Sequence, residues 1–222
     1  MADGEDSIDR GIAGNSARRE YERRVAKRAD STNNRHPHVG RVLLALTDEP
    51  RSSRAWDKGA HGEQRVGRKL ERILGGEGIV LHDRRIPGRR SNIDHVLIGP
   101  AGVFVVDTKS YQGKVERRMA GSLLARKPRL FIGDRDRTNL VDGVTAQAAA
   151  VRASVTADLP VQAVLCITRA DWGFTTSPFT IEDVWIAWAK ALVKRACRTQ
   201  VLDPEQIRKT AAQIAADFTA KR

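Results

Sequence analysis

The chain has 222 residues, with 39 Lys and Arg against 27 Asp and Glu, a formal net charge of +12. Hydrophobic residues at 41% suit a globular core, in one ordinary domain with a tail or in two small ones. The two cysteines, Cys166 and Cys197, exclude a disulfide framework and lack the paired spacing of a zinc site. No apolar run is long enough for a membrane-spanning helix, and the polar opening MADGEDSIDR has no apolar stretch of a secretory signal. A cytoplasmic protein without membrane insertion is expected. Its positive excess predicts a polyanionic partner, either nucleic acid or an anionic membrane surface.

Residues 1–55 hold few large apolar groups and read as a basic, polar N-terminal arm and connector, partly disordered or helical. Within it, 17–30 spaces Tyr21 and Val25 as on a charged helix, and 40–56 carries one apolar patch. The folded domain is expected over 56–200, with 201–222 as a C-terminal helix packed on it. Residues 58–75 predict a helix with Val66, Leu70, Ile73 and Leu74 on one stripe, ended by Gly75-Gly76. Strands follow over 78–86, 92–98 and 103–110, the last two joined by Gly99-Pro100-Ala101-Gly102. Shorter strands are expected near 113–118, 122–126 and 129–132. A helix over 141–157 turns Val144, Ala148, Val151 and Val155 inward. The segment 161–168 is apolar on both faces and reads as a buried central strand, with another strand near 181–187. The last helix, 204–218, has a capping box of Asp203 and Gln206 with Pro204 at its first position. The order predicts an α/β fold: a mixed central sheet flanked by helices.

The hairpin carries the chemistry. Its turn sets Ile98 opposite Val103 and Val96 opposite Val105, so Asp94 falls opposite Asp107. Alternation puts Lys109 on their face. Like charges so opposed repel, and carboxylates on apolar strands need compensation; a divalent cation and the Lys109 ammonium would supply it. Glu63 precedes Leu70 by seven residues and so points along the stripe that faces the sheet, where Gly62 and Gly67 let the helix come close. Gln147 lies on the inner face of the later helix. Mg²⁺, or Mn²⁺, takes oxygen ligands and keeps waters: Asp94, Asp107 and the Thr108 carbonyl can hold it against a phosphate, with Glu63 as a further ligand through water. Lys109 can stabilise charge developing on phosphorus.

These residues resemble the Glu…Asp…(Asp/Glu)-x-Lys pattern of the PD-(D/E)xK nuclease superfamily. More closely, GAHGEQRVGRKL, NIDHVLIGPAGVFVVDTKSYQG and the later Gln147 resemble the NERD (nuclease-related) domain, over roughly residues 57–168. Ile93 stands where the superfamily name has Pro. The resemblance implies a restriction-endonuclease-like αβββαβ core and a metal-dependent nuclease acting on DNA, with Glu63, Asp94, Asp107 and Lys109 catalytic.

Arg84-Arg85, Arg89-Arg90, Arg117-Arg118 and Arg126-Lys127 with Arg129 flank the strands of this site. Phosphate binding is expected there, with Arg84, Arg85 and Arg117 beside Gln147 as substrate contacts. Aromatic residues make up only 5%, which argues against a single-strand stacking platform; Trp172, Trp185 and Trp188 are assigned to the core or the C-terminal helix. His95 reads as structural or as a support to the site residues, and His36 and His38 as loop residues. The rival function is a binding module that holds nucleic acid or protein on the same fold without cutting. A membrane-surface role for the basic arm is opposed by its acidic residues and scarce apolar anchors.

Overall fold

The computed structural model describes residues 8–35, 37, 51–89, 91–121 and 126–220, with the backbone alone over 51–58. His36, His38, Arg90, most of the 40–56 connector and most of the 122–126 strand lie outside these residues.

Helix α1 (Asn15–Arg35) is held along its surface by Arg18–Glu22 and Glu20–Arg24 pairs four residues apart. It lies against α2 (Arg51–Leu74). Helix α2 begins seven residues earlier than the apolar periodicity alone indicates. Val66, Leu70 and Leu74 are buried, whereas Ile73 is exposed: the strict four-residue spacing rotates it off the stripe. Strands β1 (Ile79–Arg85), β2 (Asn92–Gly99) and β3 (Gly102–Ser110) form the expected meander. The β2–β3 turn is two residues long, and Ile98 pairs with Val103 and Val96 with Val105.

A small antiparallel sheet follows: β4 (Val115–Ala120), β5 (Lys127–Ile132) and β6 (Arg135–Asp136). Helix α3 (Asn139–Arg152) then leads into β7 (Val161–Thr168). The helix stops at Arg152 rather than 157, and Val155 packs on the core from the turn that follows. Strand β7 runs parallel to β3, and its central residues Ala163–Ile167 are buried. The strand expected near 181–187 is a hairpin, β8 (Phe179–Ile181) and β9 (Val184–Ala187). Its two turn residues, Glu182 and Asp183, both have positive φ, as a turn matched to strand twist requires. Helix α4 (Ala189–Ala196) has no counterpart in the sequence reading. The last helix, α5 (Pro204–Asp217), has the full capping box: Asp203 accepts from the Gln206 N–H and the Asp203 N–H donates to the Gln206 side chain.

The six-stranded mixed sheet runs β1-β2-β3-β7-β9-β8. One face buries Val96, Val105 and Leu165 under α3, α5 and the small sheet. The other buries Leu97, Phe104 and Val106 under α2 and α4. Alternation along each strand thus produces two cores from one sheet, and each fully buried aliphatic side chain contributes about 1.5–3 kcal/mol. With the small sheet β4–β6 inserted between β3 and α3, α2-β1-β2-β3-α3-β7 is the expected αβββαβ core.

The N-terminal segment is tied to this core. The His82 N–H donates to the Arg10 carbonyl, Ala17 is buried, and the Ser16 backbone N–H and hydroxyl both donate to the Asp83 carboxylate.

Candidate active site

The sheet forks at the hairpin's open end. Strand β2 pairs with β1 as far as Asn92, and β3 pairs with β7 as far as Ser110, but the β2–β3 ladder stops at His95–Val106. The same register extended by one step opposes Asp94 to Asp107. There the Thr108 N–H donates to the Asp94 carboxylate at 2.7 Å. Asp107 is buried and accepts from Lys109 Nζ at 2.8 Å; Lys109 Nζ also lies 3.5 Å from the Thr108 carbonyl.

Helix α2 brings Glu63 to the fork. Burial, then repulsion from Asp83 and Asp107, pushes its carboxyl up to about 7 against the pull of Lys109. Asp94 is held well above the usual carboxylate range by burial and by Glu63 and Asp107, opposed by Lys109 and the Thr108 N–H. Burial works against the Lys109 charge, yet Asp107, Asp94 and Glu63 together raise it. Four groups from three elements therefore share one electrostatic space, with more carboxyl groups than one ammonium can hold ionised. On α3, Gln147 is buried and its amide donates to the Asn92 carbonyl at 3.3 Å, while its Oε1 has no partner. Thr108 Oγ1 is likewise buried without one.

The close seat of α2 has a specific cause. A Cβ on Gly67 would stand 2.8 Å from the Ala13 side chain and 3.1 Å from the His82 ring. At Gly62 it would meet only Ser110 at 3.6 Å, an ordinary contact, so Gly67 alone is required. Beneath Gly67, His82 Nε2 lies 2.9 Å from Glu71 and the His82 and His95 Nδ1 atoms lie 2.9 Å apart. Burial lowers the pKa of both rings. With neutral rings, both contacts are satisfied only if His82 donates to Glu71 and accepts from His95. His95 is structural, as expected, and its partner is His82.

The basic candidates fare differently. Arg84 is fully buried and donates to the backbone carbonyls of Asp9 and Phe218. It clamps the N-terminal segment to the end of α5 and cannot reach a phosphate, which corrects its assignment as a substrate contact. Arg85 and Arg117 are exposed, on β1 and in the small sheet, and no hydrogen bond or ion pair among the described residues joins either to the fork. Arg118 and Arg129 are paired with Glu116 and Asp136. Two groups escape the sequence reading. Asp83 stands in β1 with φ 51°, at the step that makes no pair between His82–His95 and Arg84–Ile93, and an Asp after the apolar start of IVLHDRR is its only sign. Trp172 and Trp188 are half-buried beside a cavity, while Trp185 alone is core.

The donor set suits a hard cation. Among the described residues no three His, Cys, Asp or Glu side chains form a ready-made metal cage. Two aspartates and a carbonyl leave the remaining positions to water and substrate, as Mg²⁺ prefers. Such an ion would let the crowded carboxyls at the fork ionise together.

A mixed sheet between helices, forked over an Asp, an Asp-Thr-Lys and a helix Glu, defines a PD-(D/E)xK-like nuclease fold. A family model described as the nuclease-related domain, NERD, matches residues 58–168, and the chain belongs to that family. An uncharacterized protein of Bacillus anthracis is 41% identical over 75 residues, 32% of this chain and 35% of that protein. The chain thus spans about a third of the length of this curated relative. No solved structure matches. No helix among the described residues is long and apolar enough to cross a membrane.

Proposed function

We propose that the protein is a metal-dependent phosphodiesterase that cuts DNA in the cytoplasm. The observation that carries this reading is the convergence of Glu63, Asp94, Asp107 and Lys109 at the fork of the sheet, in a chain of the nuclease-related family. Asp94, Asp107 and the Thr108 carbonyl would hold Mg²⁺ or Mn²⁺, with Glu63 through water. The ion supplies Lewis acidity at the phosphoryl oxygen and lowers the pKa of a bound water. Lys109 sets an ammonium where charge grows on phosphorus as water adds and the P–O bond to the leaving oxygen breaks. Asp107 fixes that ammonium by its 2.8 Å hydrogen bond. Gln147 braces β2 at Asn92 and keeps one amide oxygen for a donor on the substrate. Exposed Arg85 and Arg117 supply part of the field that attracts the polyanion. Two free cysteines suit a reducing compartment.

The test is incubation with supercoiled plasmid and with linear single- and double-stranded DNA, with Mg²⁺ and Mn²⁺, beside Asp107→Ala. Metal-dependent cleavage absent from the variant is expected. Binding without cleavage under every condition would favour the non-catalytic module instead.

A further inference from the structure

Beside the fork lies a cavity of about 550 Å³. Its walls come from α2, the ends of β3 and β7, and the start of α4. Gly62 and Ser110 line it and adjoin Glu63 and Lys109 in the chain, so the cavity shares α2 and the end of β3 with the proposed site. Its volume suits a small-molecule-sized guest and is too small for a duplex.

The lining has two chemistries. Arg65, Lys69 and Arg169 supply three cations, none engaged in an ion pair among the described residues. Trp172 and Trp188 supply two indoles, with ring centroids 4.8 Å apart in an edge-to-face arrangement. The first turn of α4 enters the same cavity at Ala189, and its N-cap Trp188 makes no side-chain capping bond. The positive end of that helix adds to the field of the three cations.

The wall is built rather than incidental. Arg169 sits at φ 60°, a conformation costly for a side chain of its size. The segment after it is pinned to the loop following β3: the Asp171 N–H donates to the Gly113 carbonyl and the Val115 N–H to the Asp171 carbonyl. Tyr111 is tied to Thr168 in the same way. Arg169 and Trp172 are thus held in place against residues from α2.

We propose that this cavity is a subsite for one unpaired nucleotide of the strand being cut: the cations hold its phosphate and the indoles its base. Cations and flat aromatic faces together are what a single-stranded nucleotide selects, because every base presents a π-face and every unit a phosphate. The proposal rests on the nuclease reading and extends it, directing cutting to frayed ends, flaps or single strands. The low aromatic content is no obstacle, since two of the four Trp residues meet at this one place.

The test is binding in EDTA, so that it is read whether or not the protein cleaves. A fluorescein-labelled single-stranded DNA 12-mer, a blunt DNA hairpin and free thymidine monophosphate are titrated, following anisotropy for the labelled DNAs and intrinsic Trp fluorescence for all three. The single strand should quench Trp emission and the blunt hairpin should not. Arg65→Glu/Lys69→Glu should weaken single-strand binding about tenfold or more relative to its effect on the hairpin. Arg208→Glu/Lys209→Glu, on the exposed face of α5, should shift both DNAs alike. Trp172→Leu should abolish most of the quench; the double charge reversal, on exposed helix positions, keeps the test sound if that variant folds poorly. The proposal is overturned if Arg65→Glu/Lys69→Glu affects both DNAs equally, or if the mononucleotide binds as tightly as the 12-mer, which would make the cavity a free-nucleotide site. Loss of cleavage with these preferences intact would overturn the nuclease reading alone.

Discussion

Replacing Glu63 by Gln should stabilise the metal-free protein at neutral pH while impairing its chemistry. The carboxyl is raised from 4.5 to about 7, first by burial and then by Asp83 and Asp107. A folded-state pKa above the unfolded one means the folded chain binds the proton more tightly. The associated stability is complete below about pH 4.5, falls as pH rises, and is gone above about pH 7. At about 1.4 kcal/mol per pH unit, and allowing for the partial exposure of Glu63, the loss amounts to roughly 2–3 kcal/mol. In a chain of this length that is a shift in Tm of roughly 5–10 °C. Thermal melts in EDTA from pH 5 to pH 8 should show wild type losing ground to Glu63→Gln, with the two converging at the acid end. Asp94, raised by the same crowding, leaves some slope in both. Addition of Mg²⁺ at pH 8 should recover stability in wild type more than in the variant. A variant that is less stable than wild type at pH 8 without metal, or melts that keep the same pH dependence, would refute the claim that these carboxylates crowd one another.

Lys109→Ala should cut single-turnover cleavage about a hundredfold or more while keeping most of the metal affinity, whereas Asp107→Ala should lose both together in a metal titration. Arg84→Met should cost about 2 kcal/mol in urea unfolding, because the buried Phe218 carbonyl and the part-buried Asp9 carbonyl lose a charged donor. Asp203→Ala should cost about 1 kcal/mol by removing one side of the capping box. Affinity for duplex DNA should fall at least about tenfold between about 50 and 200 mM salt in a filter-binding series; a flat response would contradict an electrostatic interface.

The parts legible in the sequence are those set by local periodicity. A two-residue turn and a period of two fix which residues of β2 and β3 oppose one another, so the pairing of Asp94 with Asp107 follows once the turn is placed. A helical period fixes Glu63 above Val66 and Leu70. The burial of Arg84 is not legible locally because its partners lie far along the chain, at Asp9 and Phe218, and nothing local separates a buried guanidinium from a solvated one. The cavity was hidden for the same reason: Arg65 and Lys69 meet Arg169 and Trp172 only because β3 and β7 run side by side. Asp83 is not legible because its positive φ breaks the strand alternation on which such a reading depends.

The clamp at Arg84 bears on what can be cut out of this protein. The outer side of β1 is occupied: the His82 N–H is bonded to Arg10 and the Arg85 N–H to Thr219. On the far side, β9 and β8 cover β7. A fragment trimmed to the residues that match the family, 58–168, would lose both covers and present two bare strand edges. Such edges recruit other strands, so the fragment should associate or precipitate. The stretch that matches the family is therefore shorter than the stretch that covers both edges of its strands.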